Sequence, residues 1–155
     1  MVSFSILFLI FYLKVCYLRL ELKNNFLKKV RDLAYKNNIV LIFDEITSGF
    51  HNNFGGLHLT LDINPDICIF AKAMANGYPI SAILGKSTIM DFAQETFISS
   101  TMWTERIGFV AALATLKKMD SHKVQDRLVY YGQMLKKMIK AVWLHPKMQF
   151  LMGQI

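Results

Sequence analysis

The run "IVLIF", residues 39–43, contains no polar side chain and ends directly on Asp44 and Glu45. An amphipathic helix or a half-buried strand would interrupt such a run with polar residues at intervals of 3.6 or 2. An unbroken run suits a strand covered on both faces, as parallel strands are. This restricts the fold more than any other feature, because a sheet with two buried faces needs helices packed on it. A second short apolar strand, "ICIFA" at 67–71, stops at Lys72, and a third is expected in "ISAILG" at 80–85. The expected fold class is therefore α/β. With 155 residues, of which 54% are hydrophobic, the chain has the length of one ordinary domain and enough apolar surface for its core.

Helices alternate with these strands. In "NNFLKKVRDLAYKNN", Phe26, Val30 and Leu33 recur at helical spacing, Lys28, Lys29 and Asp32 face away, and Asn37 and Asn38 supply a stop. A short helix is expected at 89–93, and longer ones at 105–119 and 122–142. The first of the long helices offers small residues for close packing on a sheet. The second carries Val124, Leu128, Tyr131, Leu135, Met138 and Val142 in steps of three and four, which predicts a packing face. Turns are expected at Gly55, Gly56 and Asn64-Pro65, and again at Asn76, Gly77 and Pro79. There is no internal repeat and no low-complexity linker.

Charge and cysteine content exclude several functions. The net charge of +7 is scattered in small groups, at Lys28, Lys29 and Arg31, at Lys117 and Lys118, and at Lys136, Lys137 and Lys140. These read as solvated helix faces, and no stacking aromatics are interleaved as a nucleic-acid surface would require. Cys16 and Cys68 form no C-x-x-C pair, so neither a zinc site nor a disulfide framework is expected, and a reducing cytoplasm fits. His51, His58, His122 and His145 lack ligand spacing and are read as ordinary surface or turn residues. Residues 1–20 are an atypical apolar segment. Its run from Val2 to Leu13 is shorter than the roughly 20 residues that span a bilayer, and it lacks the leading cation and cleavage site of a secretory signal. A buried strand or a segment foreign to the domain is expected there in preference to a membrane anchor.

The chemistry concentrates where strands end. Open α/β sheets bind ligands at the carboxyl ends of their strands, where loops diverge and leave a crevice. Asp44 lies at one such end and Lys72 at the next, 28 positions later (72 minus 44). A carboxylate in that crevice would be costly unless a cation met it. On spacing alone the two residues are a structural ion pair, an aspartate capping its turn, or two parts of one ligand site.

"LIFDEITSGFHNNFGG" followed by "PDICIFAKAMANGYPISAILG" resembles the signature of class III aminotransferases, pyridoxal-phosphate enzymes of fold type I. Within that family the pattern is most similar to the glutamate-1-semialdehyde aminomutase group and its aminotransferase relatives. Asp44, Glu45, Gly49, Asp66, Lys72 and Gly77 carry it, in order and at family spacing, and it continues through "FISSTMWTERIGFVAALATL". The resemblance implies part of a large domain with a mostly parallel sheet flanked by helices. Lys72 would form the internal aldimine with pyridoxal phosphate, in an enclosed site that favours its neutral, nucleophilic amine. Asp44 would bind the pyridine nitrogen and keep it protonated, so that the ring draws electrons from the substrate's α carbon. Thr101 matches a threonine that reaches the phosphate of the neighbouring subunit across a dimer interface, with Ser100 a neighbour able to do the same. Backbone N–H groups near the start of the following helix would suit that anion. As a residue on its own, Thr101 also fits a helix cap or a turn.

The pattern has departures. Many relatives carry glutamine where Thr47 stands, a side chain that approaches the cofactor's phenolic oxygen, so by position Thr47 is a candidate cofactor contact; they also carry arginine where His51 stands and Asn-Pro near Glu105-Arg106. Family members are more than twice as long, with a phosphate-binding turn and a ring-stacking aromatic before the Asp-Glu pair and a small domain after the last helix. Residues 21–155 are thus read as the central part of the large domain, truncated at both ends. The expected function is amino-group transfer between small molecules, as a transaminase or aminomutase, within a homodimer. The competing reading is a non-catalytic fragment or interaction remnant of the same fold.

Overall fold

The computed structural model describes residues 9–12, 25–99, 101–102 and 105–143. Its elements run β1 (Leu9–Tyr12), α1 (Phe26–Lys36), β2 (Leu41–Asp44), β3 (Ile67–Phe70), β4 (Ala82–Gly85), the single turn α2 (Ser87–Met90), α3 (Ile107–Ser121) and α4 (Val124–Trp143). Short 3-10 turns at Leu57–Thr60, Lys72–Met74 and Asp91–Glu95 lie between them. The four strands form one sheet in the order β1-β2-β3-β4. The first two pairings are parallel, with Leu9 opposite Leu41 and Asp44 opposite Ile69, and the last is antiparallel, with Cys68 opposite Leu84. The α/β expectation holds, and the sheet is mostly parallel with an antiparallel edge.

Strand β2 behaves as its composition demands. Leu41 and Phe43 are 0% exposed and Ile42 is nearly so, and a buried side chain of this size contributes about 1.5–3 kcal/mol. Cys68 and Phe70 of β3 join Leu41 and Phe43 in the core, which extends to Leu27 and Ala34 of α1, Met74 and Ala75, and Ala112 of α3. Small residues let α3 approach closely: a Cβ on Gly108 would stand 3.1 Å from both Tyr78 and Ile80. Asn37 ends α1, its side-chain amide donating to the Leu33 carbonyl at 2.8 Å, and Asn38 turns the chain with φ +52.

Two helix faces differ from expectation. The buried side of α1 is Leu27 and Ala34 with Val30 beside them, while Phe26 and Leu33 are exposed. The helix is rolled because Arg31 is drawn toward the sheet. In α4 the stripe Leu128, Tyr131, Leu135, Met138 and Val142 is exposed, so the expected packing face has no cover among the described residues. The basic groups of α1, α3 and α4 other than Arg31 are solvated, as expected. Among the described residues no helix is long and apolar enough to cross a membrane. Most of the N-terminal apolar segment, apart from β1, lies outside those residues.

Arg31 is drawn inward by Asp66. This buried carboxylate accepts from Arg31 at 2.7 Å, from Lys86 at 2.7 Å and from the backbone N–H of Leu41 at 2.8 Å. One side chain therefore ties α1, the start of β2 and the end of β4 together at the entry to β3. Burial pushes its carboxyl pKa upward, but the bonds from Lys86, Leu41 and Arg31 outweigh this and hold it below the usual range. A depressed folded value means stability that is present above the unfolded carboxylate value of about 3.9 and lost as pH falls through the folded one. Asp66→Asn is expected to lower stability by about 2 kcal/mol at pH 7 in urea denaturation. The gap between wild type and variant should close as the pH is taken from about 4 toward 2.

Candidate active site

The loop leaving β2 shapes the C-terminal edge of the sheet. Asp44 is half-buried, and its Oδ1 accepts the N–H of Ile46 at 3.0 Å, which starts a turn. The Glu45 N–H continues the ladder to Ile69 at 2.9 Å, and the Gly49 N–H returns to the Glu45 carbonyl at 2.8 Å. Gly49 cannot carry a side chain here, because a Cβ would lie 2.7 Å from the Phe70 ring and 2.8 Å from that carbonyl. The turn presents Thr47 at the strand tip.

Lys72 arrives at the same edge from β3. The chain leaves the strand through Ala71 and places Lys72 at φ +46, a left-handed conformation that disfavours residues with a Cβ by about 1–2 kcal/mol. The N–H groups of Ala75 and Asn76 close the turn onto the Lys72 carbonyl at 3.3 and 3.0 Å. The side chain is exposed, and Nζ donates to the Thr47 hydroxyl at 2.7 Å. No ion pair joins Lys72 to Asp44 among the described residues. The structural ion-pair alternative is thereby removed, the alternative of an aspartate capping its own turn is the arrangement seen at Asp44, and the two residues meet through the turn that carries Thr47. The enclosure expected around Lys72 is not made by the described residues. Three concavities of about 430 to 560 Å³ lie elsewhere, and none of the three is lined by Lys72 or Asp44.

Glu45, next to Asp44, is 0% exposed. Its carboxylate accepts the backbone N–H groups of Leu57 and His58, the latter at 3.0 Å, and the Ser48 hydroxyl at 3.3 Å. The His58 imidazole completes the shell, with Nδ1 at 2.6 Å. Gly56 makes room for this arrangement, since a Cβ there would fall 2.2 Å from Nδ1 of His58 and 2.7 Å from the Glu45 carboxylate. His58 is therefore no ordinary turn histidine. Nothing in its spacing signals the role, although a glycine pair just before it marks a tight approach. His51 and His122 fit the simpler reading, each with Nδ1 against a nearby backbone carbonyl, and His145 lies outside the described residues.

Cys68 stands 3.5 Å from Nδ1 of His58, so Glu45, His58 and Cys68 cluster in a set that resembles metal ligands. The bonding argues against that use. Four donors already occupy the Glu45 oxygens, and the imidazole Nδ1 is committed to that carboxylate. Burial, and then the Glu45 charge, push the Cys68 thiol up to about 12, so it stays protonated in this pocket.

The start of α3 is also occupied. Glu105 accepts the N–H groups of Ile107 and Gly108, the latter at 3.0 Å, and the Tyr78 hydroxyl at 2.9 Å. The Gly108 bond leads in holding its carboxyl below the usual range. These N–H groups, expected to face an anion, are thus taken by the chain's own glutamate. Thr101 is exposed on the turn 101–102, and Ser100 lies outside the described residues. The fold thus brings Lys72 and Thr47 into contact and sets Asp44 at the head of the same turn.

Comparisons with known proteins agree on one family. The profile described as Aminotransferase class-III matches residues 20–149. The 3-aminobutyryl-CoA aminotransferase of Cloacimonas acidaminovorans is 39% identical over 112 residues, covering 72% of this chain and 27% of that protein. The glutamate-1-semialdehyde 2,1-aminomutase of Nitrosopumilus maritimus is 39% identical over 104 residues, covering 65% and 24%. Among solved structures, the internal aldimine form of the FumI protein from Sphingopyxis superposes with a TM-score of 0.70 at 28% identity, covering 76% of this chain and 28% of its own. The chain spans about a quarter of the length of the curated relatives it matches.

Two outcomes are expected from the buried cluster. Gly56→Ala should lower stability by about 1–3 kcal/mol in urea denaturation, because His58 or Glu45 must give way to the new methyl group. Maleimide at a mildly alkaline pH of about 8, mapped by mass spectrometry, should leave Cys68 unlabelled in the native chain and label it once guanidinium has unfolded the protein.

Proposed function

Because the chain belongs to the class-III aminotransferase family, we propose that it furnishes the strand-tip part of a pyridoxal-phosphate site for amino-group transfer, in an aminotransferase or an aminomutase. The observation that carries this reading is the Lys72 amine, exposed at the tip of β3 and held 2.7 Å from Thr47 on the turn that Asp44 begins. Residues 21–155 are read as the central part of the large domain.

The two tips fit the cofactor chemically. Lys72 offers an accessible primary amine to an aldehyde. Asp44 uses Oδ1 for the Ile46 N–H and keeps Oδ2 without a hydrogen-bond partner among the described residues, so it can accept from a protonated ring nitrogen. When bound, pyridoxal phosphate supplies an electron sink for the pair left on the substrate's α carbon. Asp44 would hold the ring in orientation and keep its nitrogen protonated. Lys72, once displaced by the amino substrate, would take the proton at the α carbon and deliver it again, acting as general base and then acid. Ile42 and Phe43, buried in the strand just before Asp44, would lower the local dielectric and so strengthen that contact.

Thr101 and Ser100 are proposed as phosphate contacts toward the neighbouring copy in a homodimer, acting on small-molecule amino donors and acceptors. The buried free thiol of Cys68 suits a reducing compartment, and the cytoplasm is the proposed location.

Incubation of the chain with pyridoxal phosphate, followed by borohydride, is expected to fix one cofactor to Lys72, as read by peptide mass mapping. Lys72→Ala should lose the adduct, and Asp44→Ala should reduce cofactor retention about tenfold or more in equilibrium dialysis. An adduct on a different lysine that persists in Lys72→Ala would remove the assignment.

A further inference from the structure

We infer that Thr47 is a positioning residue for the Lys72 amine, holding its nitrogen at the strand tip whenever that nitrogen is not covalently engaged. The inference rests on the strand-tip site proposed above and adds to it a partner for the lysine. It differs from a contact with the phenolic oxygen of the cofactor, the role that sequence resemblance implies for this position.

Three observations support it. The Nζ to Oγ1 distance is 2.7 Å across 25 positions of sequence, and this side-chain bond links the two tips directly. Each end is set by bonds independent of the pair itself. On the β2 side, Asp44 accepts the Ile46 N–H and the Gly49 N–H returns to the Glu45 carbonyl, while the buried Glu45 carboxylate anchors the loop to His58. On the β3 side, Ala75 and Asn76 close on the Lys72 carbonyl. The threonine and the lysine are therefore delivered to one another by the fold.

The chemistry of the pair is specific. A hydroxyl accepts from an ammonium or amine N–H and can also donate to a neutral amine's lone pair, so it stays bonded through a proton transfer at nitrogen. An exposed lysine otherwise samples many rotamers, and holding the nitrogen at one place raises the fraction poised for attack. In that attack the neutral amine forms a C=N bond to an aldehyde carbon, and its two protons leave with the aldehyde oxygen as water.

The full chain, with Thr47→Val and Thr47→Ser, would be exposed to pyridine-4-carboxaldehyde and separately to pyridoxal phosphate, then quenched with borohydride, which adds hydride to the new C=N carbon. The first probe has an aldehyde and a ring nitrogen but no phenolic oxygen and no phosphate. Thr47→Val is expected to slow adduct formation at Lys72 about three- to tenfold with both probes, and Thr47→Ser to restore the wild-type rate. Wild-type rates in Thr47→Val, or slowing with pyridoxal phosphate alone, would overturn the inference while leaving Lys72 assigned. A threonine-to-serine change that fails to rescue would also overturn it. Failure of wild type to form any Lys72 adduct would remove the parent reading, and this one with it.

Discussion

A carboxylate with no solvent exposure organises this chain. Burying Glu45 unpaired would cost several kcal/mol, and the structure avoids that by surrounding it with two backbone N–H groups, a serine hydroxyl and an imidazole. Those donors come from Ser48 and from the 3-10 turn Leu57–Thr60, so the chain must leave β2, loop outward and return beneath its own strand end. Gly56 lets the two groups close, and the Phe50 ring packs on Phe54 and Phe70 to fill the loop's inner side. The positions of Asp44 and Thr47 derive from this closure, since both belong to backbone whose far end is pinned at His58.

The three acidic residues near the sheet divide the work by position. Asp66 stands before β3 and is saturated by Arg31, Lys86 and the Leu41 N–H. Glu45 is saturated by the loop. Asp44, at the carboxyl edge, spends one oxygen on the Ile46 N–H. Fold-stabilising carboxylates thus occupy the interior and the opposite end of the strands, and the one with remaining acceptor capacity faces the edge where α/β sheets take their ligands. The same logic separates the nitrogens: Arg31 and Lys86 are held by Asp66, whereas Lys72 is held, among the described residues, by a neutral hydroxyl that can release it.

Much of this was legible in the residues. Apolar density alone placed β2 and β3, the paired asparagines placed the end of α1, and the small residues of α3 announced a close approach, which at Gly108 is made to Tyr78 and Ile80 in the turn before β4 and not to a strand of the sheet. The failures share a cause, which is that periodicity reports which side of an element is apolar and not which neighbours it will meet. In α1 the demand of Asp66 for a cation rolled the helix so that Leu27 and Ala34 faced inward in place of Phe26 and Leu33. In α4 the apolar stripe exists as read, yet no described element lies across it. The role of His58 was invisible for a related reason, since it depends on Glu45 in a different segment, set by the path of a loop. The Glu105 cap of α3 is local, on N–H groups two and three residues on, and its contact with Tyr78 is the part that needed a distant segment.

Backbone strain gives an independent view of Lys72. Among the described residues, left-handed φ values outside glycine fall on Asn25, Asn38, Asp62 and Asn76, whose short polar side chains tolerate them, and on Phe50, Lys72 and Lys123. Phe50 recovers the cost through its aromatic contacts, and Lys123 pairs with Asp120 at the entry to α4. Lys72 has no comparable packing, because its side chain is exposed and its bond is to Thr47. A glycine would relieve the strain at that turn but would leave no amine at the strand tip. Strain kept at a position whose side chain adds little to the core points to the nitrogen it presents, the group that the proposed chemistry would require.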